Sequence, residues 1–100
     1  MDIGYHVFIN TAVLFLVSGK MAACVNLIPS ITSVYEWEGK IENDEEVLMM
    51  IKTRTERISD LTEFVKANHP YDVPEVISTS IENGSQAYLD WIGKIVAPKN

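Results

Sequence analysis

The clearest periodic pattern of the chain lies over residues 55–68. Apolar side chains recur there at intervals of three and four and form one stripe: Ile58, Leu61, Phe64 and Val65. Such a stripe indicates an amphipathic helix that packs one side against a sheet. Thr53 and Glu56 are spaced as a capping box at its start, and Thr55 is an alternative cap. Pro70 ends the helix, because proline has no amide hydrogen to donate and its ring clashes with a continuing helix.

A long antiparallel hairpin is predicted before this helix. Residues 25–37 have extended character, and residues 47–51 form a continuous apolar run, as is typical of a central strand covered on both faces. Gly39 and the acidic stretch 42–46 predict the turn between the two strands. We interpret the acidic side chains as a solvated turn, because their spacing matches no known calcium cage. They are Glu42, Asp44, Glu45 and Glu46.

The remaining segments complete a recognisable order. Residues 6–11 read as a short buried strand, residues 12–21 as a short helix that ends near Ser18 and Gly19, and residues 73–81 as a strand. Ser85 is a plausible N-cap for a last amphipathic helix. The order of strand, helix, hairpin, helix, strand and helix predicts an α+β, ferredoxin-like split βαβ fold with helices on one face of an antiparallel sheet. With no repeat or linker visible, we expect one domain over residues 1–100.

Composition and charge narrow the functional classes. Hydrophobic residues make up 47% and charged residues 22%, close to the averages for globular domains. The net charge of −6 and the lack of a basic cluster argue against nucleic acid as a partner. The apolar run over residues 3–17 is shorter than the roughly 20 residues that a membrane-spanning helix needs, so we expect no membrane span. No Lys or Arg precedes Lys20, which argues against a signal peptide.

Few side chains suggest chemistry. His69 follows the central helix, where an imidazole binds Cu(II) or Zn(II) or donates to the last helix carbonyls; spacing alone favours the second role. Cys24 has apolar neighbours, and a thiol in that setting is usually a small buried hydrophobe. No nucleophile with a His and an acid partner forms a motif, so we expect no enzyme. Exposed aromatic side chains would mark an interface, and the candidates are Tyr35, Trp37 and Trp91.

Five blocks of sequence resemble the CutA divalent-cation tolerance proteins, and their residues are most similar to those of animal members. The blocks are AACVNLIP at 22–29, TSVYEWEGKIE at 32–42, EVLMMIKT at 46–53, HPYDVPEVI at 69–77 and YLDW at 88–91. The resemblance covers residues 18–96 and implies a ferredoxin-like protomer in a tight homotrimer. It also implies a link to copper and other divalent cations, and, for animal members, to the processing and membrane anchoring of acetylcholinesterase. No catalytic reaction is established for the family.

The N-terminal segment, residues 1–17, departs from the family pattern. Between Thr11 and Cys24 the chain is about two helical turns shorter than in the family. Either residues 6–11 supply the first strand and the helix is shortened, or that strand is gone and the apolar N-terminus is a substitute for it. The fold is therefore expected to be abbreviated at its N-terminus.

The departure also removes expected copper ligands. In bacterial members a first-strand Cys and His residues before a Pro-Tyr pair are the proposed ligands; here Thr11 and Asn68 occupy two of these positions and His69 remains. Glu75 could complete a mixed site with help from a neighbouring subunit, and Cys24 is a further candidate. We therefore expect Cu(II) or another divalent cation to bind weakly.

Two functions of different classes follow. The first is a non-enzymatic homotrimer in divalent-cation (copper) tolerance and homeostasis that also binds a protein partner. The alternative is a small-molecule-sensing signalling module, whose inter-subunit clefts would be lined by the loop at His69, Pro70 and Tyr71. A cytoplasmic location is expected, or a secretory or organellar one if the apolar N-terminus acts as a targeting signal.

Overall fold

The structure is a computed structural model, and it describes residues 13–68 and 75–98. Its elements follow one another as a helix α1 over residues 13–18, strand β1 (Cys24–Trp37), strand β2 (Lys40–Lys52), helix α2 (Ile58–Asn68) and helix α3 (Gln86–Ile95). A single 3-10 turn, Thr55–Arg57, leads into α2. The α+β class is confirmed.

The long hairpin is confirmed, but its turn is shorter than predicted. Strands β1 and β2 pair antiparallel from Cys24 opposite Lys52 to Trp37 opposite Lys40, so only Glu38 and Gly39 connect them. Their φ angles are 51° and 79°, and two consecutive positive values are the signature of a type I′ turn. The prediction that residues 42–46 form the turn is wrong, since they lie in β2. The I′ turn matches the twist of the strands, so pairing begins at Trp37 and Lys40, the residues on either side of the turn.

A β-bulge interrupts the hairpin near its middle. Ile28 pairs with Leu48 and Ile31 with Glu46, so β1 carries one residue more than β2 between these pairs. Ser30 takes up the extra residue with a φ of 59°. Bulges of this kind bend a strand and increase its twist.

One face of the sheet is covered by α1 and α2. Leu16 of α1 and Leu61 of α2 are buried together with Ala22. Val25 and Ile51, a directly opposed pair of the two strands, pack against this cluster, as do Phe64 and Val65. The apolar stripe of α2 thus faces the sheet as predicted, and α1 ends at residue 18, next to the predicted Ser18–Gly19 stop.

The opposite face of β2 is open in the described chain. Leu48 is 42% and Met50 49% exposed. Strand residues alternate between the two faces, so the side chains between them point to the covered side. The expectation that residues 47–51 are covered on both faces is therefore wrong, because α1 and α2 both lie on one side.

The start of α2 also differs from the prediction. Arg54, not Thr53, is the N-cap of the 3-10 turn, and no side chain caps it. The Thr53 hydroxyl instead donates to the Met21 carbonyl over 2.7 Å. The capping box is wrong, because the 3-10 turn begins after Arg54 and Thr53 lies before the N-cap position. Thr55 is the first residue of that turn, so it is not the cap either.

The two remaining predicted strands have different outcomes. Residues 6–11 lie outside the described residues. Residues 75–81, the described part of the predicted strand 73–81, have no strand assignment, and the sheet of the described chain has two strands. Ile77 is 84% exposed. A segment with strand propensity forms a β-strand only when the edge of a neighbouring strand hydrogen-bonds to its backbone. Neither described strand pairs with residues 75–81.

Helix α3 begins after Ser85, which occupies the predicted N-cap position although its side chain makes no capping bond. Ile92 and Val96 are buried against Ala23, with Ile95 packed beside them. This second cluster lies at the start of β1 and is separate from the cluster beneath the sheet. It places α3 near Ala23, the residue before Cys24.

Candidate functional site

Cys24, the only cysteine of the chain, begins β1 and is half-buried. Tyr88 of α3 is the tyrosine whose ionisation is influenced by this thiol. Loss of solvent around the Tyr88 hydroxyl raises its pKa, and the charge and hydrogen bond of Cys24 raise it further. The phenol of Tyr88 therefore remains protonated at neutral pH.

The other neighbours of Cys24 are an amide and an ammonium group. Its Sγ lies 3.9 Å from Asn26 Oδ1, and the Nζ of Lys52, the residue opposite Cys24 in the hairpin, donates to the same oxygen. A divalent cation is repelled by an ammonium group at this range. The donor set around Cys24 therefore fits a divalent metal poorly.

The predicted metal ligands do not form a cluster in the described part of the chain. His69 lies outside the described residues, and Glu75 is an exposed residue at the start of the second described range. Among residues 13–68 and 75–98, no group of three or more His, Cys, Asp or Glu side chains is placed to hold a metal ion.

The acidic residues of β2 alternate along one face of the strand. Glu42, Asp44 and Glu46 lie on the side that carries Leu48 and Met50, since strand side chains alternate. The hydroxyl of Tyr35 donates to the Asp44 carboxylate across the hairpin. The acidic stretch thus contributes cross-strand bonding instead of forming a solvated turn.

The three aromatic residues predicted at an interface are all exposed within one chain. Tyr35 is 40%, Trp37 56% and Trp91 40% exposed. Tyr35 and Trp37 are two residues apart in β1 and share one face of it. Trp91 lies on α3, where its ring centroid is 5.5 Å from that of Tyr88.

Tyr35 and Trp37 share their face of the hairpin with Ile28, Leu48 and Met50, and we call these five residues the open sheet face. Its aliphatic members are between 37% and 49% exposed. The acidic residues Glu42, Asp44 and Glu46 lie on the same face, between the aliphatic members and the aromatic ones. Exposed aromatic and aliphatic side chains that share one sheet face are typical of an interaction surface.

The sequence pattern misses the role of two arginines. It gives neither Arg54 nor Arg57 a role. Both guanidinium groups instead donate to backbone carbonyls at the C-terminal end of α3. These partners are some 40 residues away along the chain, and no local pattern signals such a contact.

No helix in the described residues is long and apolar enough to cross a membrane. The features above define the class of the protein: an α+β protein with two helices on one face of an antiparallel hairpin and exposed apolar side chains on the other.

Comparison with known families identifies the particular group. The model of the CutA1 divalent ion tolerance protein family matches residues 10–94, and the chain belongs to this family. A "Protein CutA homolog" from Xenopus laevis is 62% identical over 81 residues, which are 81% of this chain and 54% of that protein. A "Divalent-cation tolerance protein CutA" from Thermus thermophilus is 47% identical over 77% of this chain and 75% of its own length.

A solved structure supports the same conclusion about the fold. The crystal structure of CutA1 from Oryza sativa matches with a TM-score of 0.88 and 47% identity, covering 92% of this chain and 84% of the rice chain. The ferredoxin-like fold is thereby confirmed, as is the resemblance to animal members. The chain spans about half the length of the Xenopus relative.

Proposed function

We propose that this protein is a non-enzymatic, homotrimeric CutA-like protein that acts in divalent-cation tolerance and homeostasis, with copper as a principal cation. The observation that carries the proposal is the open sheet face, which leaves aromatic and aliphatic side chains exposed in a protein of this family. The family description names tolerance of divalent ions and no reaction.

The homotrimer is supported by the exposed apolar surface of one chain. A chain of this size buries only about two-thirds of the surface of its unfolded state, and association buries more. Among the described residues, each long strand of the hairpin is also an edge of a two-stranded sheet, and unpaired strand edges invite pairing with another chain. Tyr35, Trp37 and Trp91 are the side chains proposed to lie in the contact.

The proposed metal site is weak and rests on His69. A tight site for Cu(II) or Zn(II) needs about three or four N or S ligands in fixed geometry. The surroundings of Cys24 fit such a site poorly, because the nearby Lys52 ammonium is positive. Glu75 supplies a carboxylate within six residues of His69, and a neighbouring subunit would have to supply the remaining donors.

Calorimetric titration with Cu(II) tests this site. Replacing His69 by Ala should abolish or strongly weaken binding, whereas His6→Ala, the matched control at the only other histidine of the chain, should leave it unchanged. Because imidazole coordinates only when neutral, binding to the unaltered protein should fade below about pH 6.5. Glu75→Gln should weaken binding less than His69→Ala.

An unaltered affinity in His69→Ala would remove His69 from the site. The acidic residues of β2 or Cys24 would then be the places to examine, with Asp44→Asn and Cys24→Ser as the next variants. Binding that persists unchanged at low pH would exclude imidazole coordination independently of any substitution.

By resemblance to animal members, we extend the proposal to a protein partner in acetylcholinesterase processing or anchoring, and to a cytoplasmic location. The apolar segment over residues 3–17 would favour a secretory or organellar location if it acts as a targeting signal. Expression of the full chain with a C-terminal fluorescent tag distinguishes the two locations.

A further inference from the structure

The half of the hairpin that contains the turn extends beyond the described helices. Val25 and Ile51, at the end of the hairpin opposite the turn, contact the cluster of α1 and α2. Val34 and Ile41 lie further along on the same side of the sheet, but they are 64% and 69% exposed. The described helices therefore leave this side largely uncovered over residues 31–46, which we call the arm.

The other side of the arm is exposed as well and carries two aromatic rings. Trp37 is 56% and Tyr35 40% exposed, and both belong to the open sheet face. The arm thus presents apolar side chains on both of its sides. A two-stranded hairpin by itself is only marginally stable in water and needs a further hydrophobic contact. We therefore expect the arm to lie against a surface outside the described part of its own chain.

Most of the net charge of the chain lies on the arm. Residues 31–46 contain six acidic residues and one lysine, whereas the complete chain has a net charge of −6. The acidic residues are Glu36, Glu38, Glu42, Asp44, Glu45 and Glu46. Arms of several copies packed together would place like charges side by side, which is unfavourable. The surface that receives an arm should therefore be a different part of the molecule.

The opposite end of the hairpin carries basic side chains. Lys52 ends β2 on the side of the open sheet face. Arg54 follows two residues later and donates to the Gly93 carbonyl of α3, and Lys94, the next residue of that helix, is exposed. Lys20 lies just before β1 and is also exposed. We call this part of the molecule the basic end, and its members are Lys20, Lys52, Arg54, Arg57 and Lys94.

The basic end also offers an apolar contact. Trp91 is 40% exposed, and it lies three residues before Lys94, on the same face of α3. The two arginines have acidic partners in their own chain, since Arg54 pairs with Glu56 and Arg57 with Asp60. The lysines therefore supply most of the charge that the basic end presents.

We infer that the arm of one subunit lies against the basic end of a second copy of this chain, so that its acidic and aromatic groups meet Lys52, Lys94 and Trp91. The inference rests on the proposed homotrimer and names the two surfaces that meet in it. A closed ring of identical subunits needs two different, complementary surfaces on each copy. The separation of acidic and basic groups along the hairpin supplies them.

The salt dependence of assembly tests this contact without any substitution. Salt screens the attraction between the acidic arm and the basic end, so the trimer should dissociate more readily in about 0.5 M than in about 0.05 M sodium chloride. A contact between arms would show the opposite sign, because salt screens their repulsion. Sedimentation equilibrium measures the dissociation. A trimer that salt stabilises, or that does not respond to salt, would overturn the inference.

Reversal of charge on each surface gives a second, independent test. Glu42→Lys with Glu46→Lys alters the arm, and Lys52→Glu with Lys94→Glu alters the basic end. Each pair of changes should raise the protein concentration of half-dissociation about tenfold or more, because like charges then face each other. A chain that carries all four changes should return to within about threefold of the unaltered protein, because every contact again joins opposite charges.

The matched control is Glu63→Lys with Glu82→Lys. Both residues are exposed and lie outside the two surfaces, and the net charge changes by the same amount as in the arm variant. Circular dichroism establishes that each variant is folded. A folded chain with all four changes that does not recover the trimer would overturn the inference.

The outcome for the unaltered chain separates this inference from the proposed function. A monomer at micromolar concentration would contradict the homotrimer and this contact together. An unaltered trimer whose dissociation is the same in the arm variant, the basic-end variant and the control would leave the homotrimer in place and contradict this contact alone.

Discussion

At the scale of single residues, the decisive contacts join side chains to distant partners. Arg54 and Arg57 bind carbonyls beyond residue 92, and Thr53 donates to the Met21 carbonyl. Guanidinium and hydroxyl groups are suited to many partners, so residue type alone does not select one. A contact of this kind depends on which elements the fold brings together.

Tyr88 gives a prediction about pH. Its raised pKa, caused first by desolvation and then by Cys24, means that the folded protein holds the phenol proton more tightly than the unfolded chain. The stabilisation is complete below the unfolded pKa of about 10 and is lost as pH rises through the folded value. The difference in unfolding free energy between the unaltered protein and Tyr88→Phe should therefore shrink above about pH 10. Urea unfolding at a series of alkaline pH values measures it, and parallel profiles would contradict the assignment.

At the scale of elements, the turn of the hairpin shows how backbone geometry sets stability. Glu38 has a φ of 51°, which side chains other than Gly, Asn and Asp adopt at a cost. Gly39 has a φ of 79°, and a Cβ added there would meet no atom within 4 Å. Any penalty for replacing it therefore comes from the backbone alone and not from a clash.

Substitutions at the turn should change stability in opposite directions. Glu38→Asn creates the Asn-Gly pair that type I′ turns prefer, and we expect it to stabilise the protein by roughly 0.5–1 kcal/mol, part of the cost of a left-handed residue. Gly39→Ala should cost about 1–2 kcal/mol for the same reason. Urea unfolding checks both variants. Equal effects of the two changes would show that the turn does not keep positive φ at these positions in solution.

At the scale of the whole molecule, no described element covers one face of the sheet. Two helices pack on the other side of the hairpin, and the open sheet face carries several exposed apolar side chains. Burial of such a face is favourable by roughly 25 cal/mol per Å² of apolar surface. The proposed trimer supplies that cover. The assignment of residues 1–100 to one domain, with residues 1–17 as an atypical segment, stays a prediction.

Sedimentation tests the assembly directly. We expect a trimer at micromolar concentration, because both the open sheet face and the strand edges are available for contact. Velocity and equilibrium runs with and without Cu(II) give the mass and the dependence on the cation. A monomer throughout the concentration range would contradict the trimer and would leave the open sheet face exposed to solvent.

Trp37 tests the same assembly through stability. Its ring is 56% exposed in one chain, so Trp37→Ala should cost little in a monomer. If the ring is buried between subunits, truncation should cost about 3–5 kcal/mol, as for other large buried aromatics. Thermal unfolding at several protein concentrations measures the loss. A melting temperature that matches the unaltered protein at every concentration would place the ring in solvent.

Some of this architecture was predictable from the sequence because it depends on local pattern. The apolar stripe of α2 at helical spacing, the stop of α1 near Gly19, the N-cap position of Ser85 and the two strands flanking Gly39 all match the structure. Each follows from side-chain periodicity or from the backbone preferences of glycine and serine, which act over a few residues. The family resemblance also rested on blocks that can be read from the sequence alone.

Other features were decided only by the tertiary structure. The strand expected over residues 73–81 needs a neighbouring edge for its backbone groups, so propensity alone did not form it. The acidic residues 42–46 lie in β2 because a two-residue turn allows pairing to start at Lys40. The open face of β2 and the hydrogen bonds from Arg54 and Arg57 to the end of α3 depend on which elements pack together. Local sequence determined where elements form, whereas long-range packing determined their partners, because hydrogen bonds and apolar burial depend on spatial neighbours.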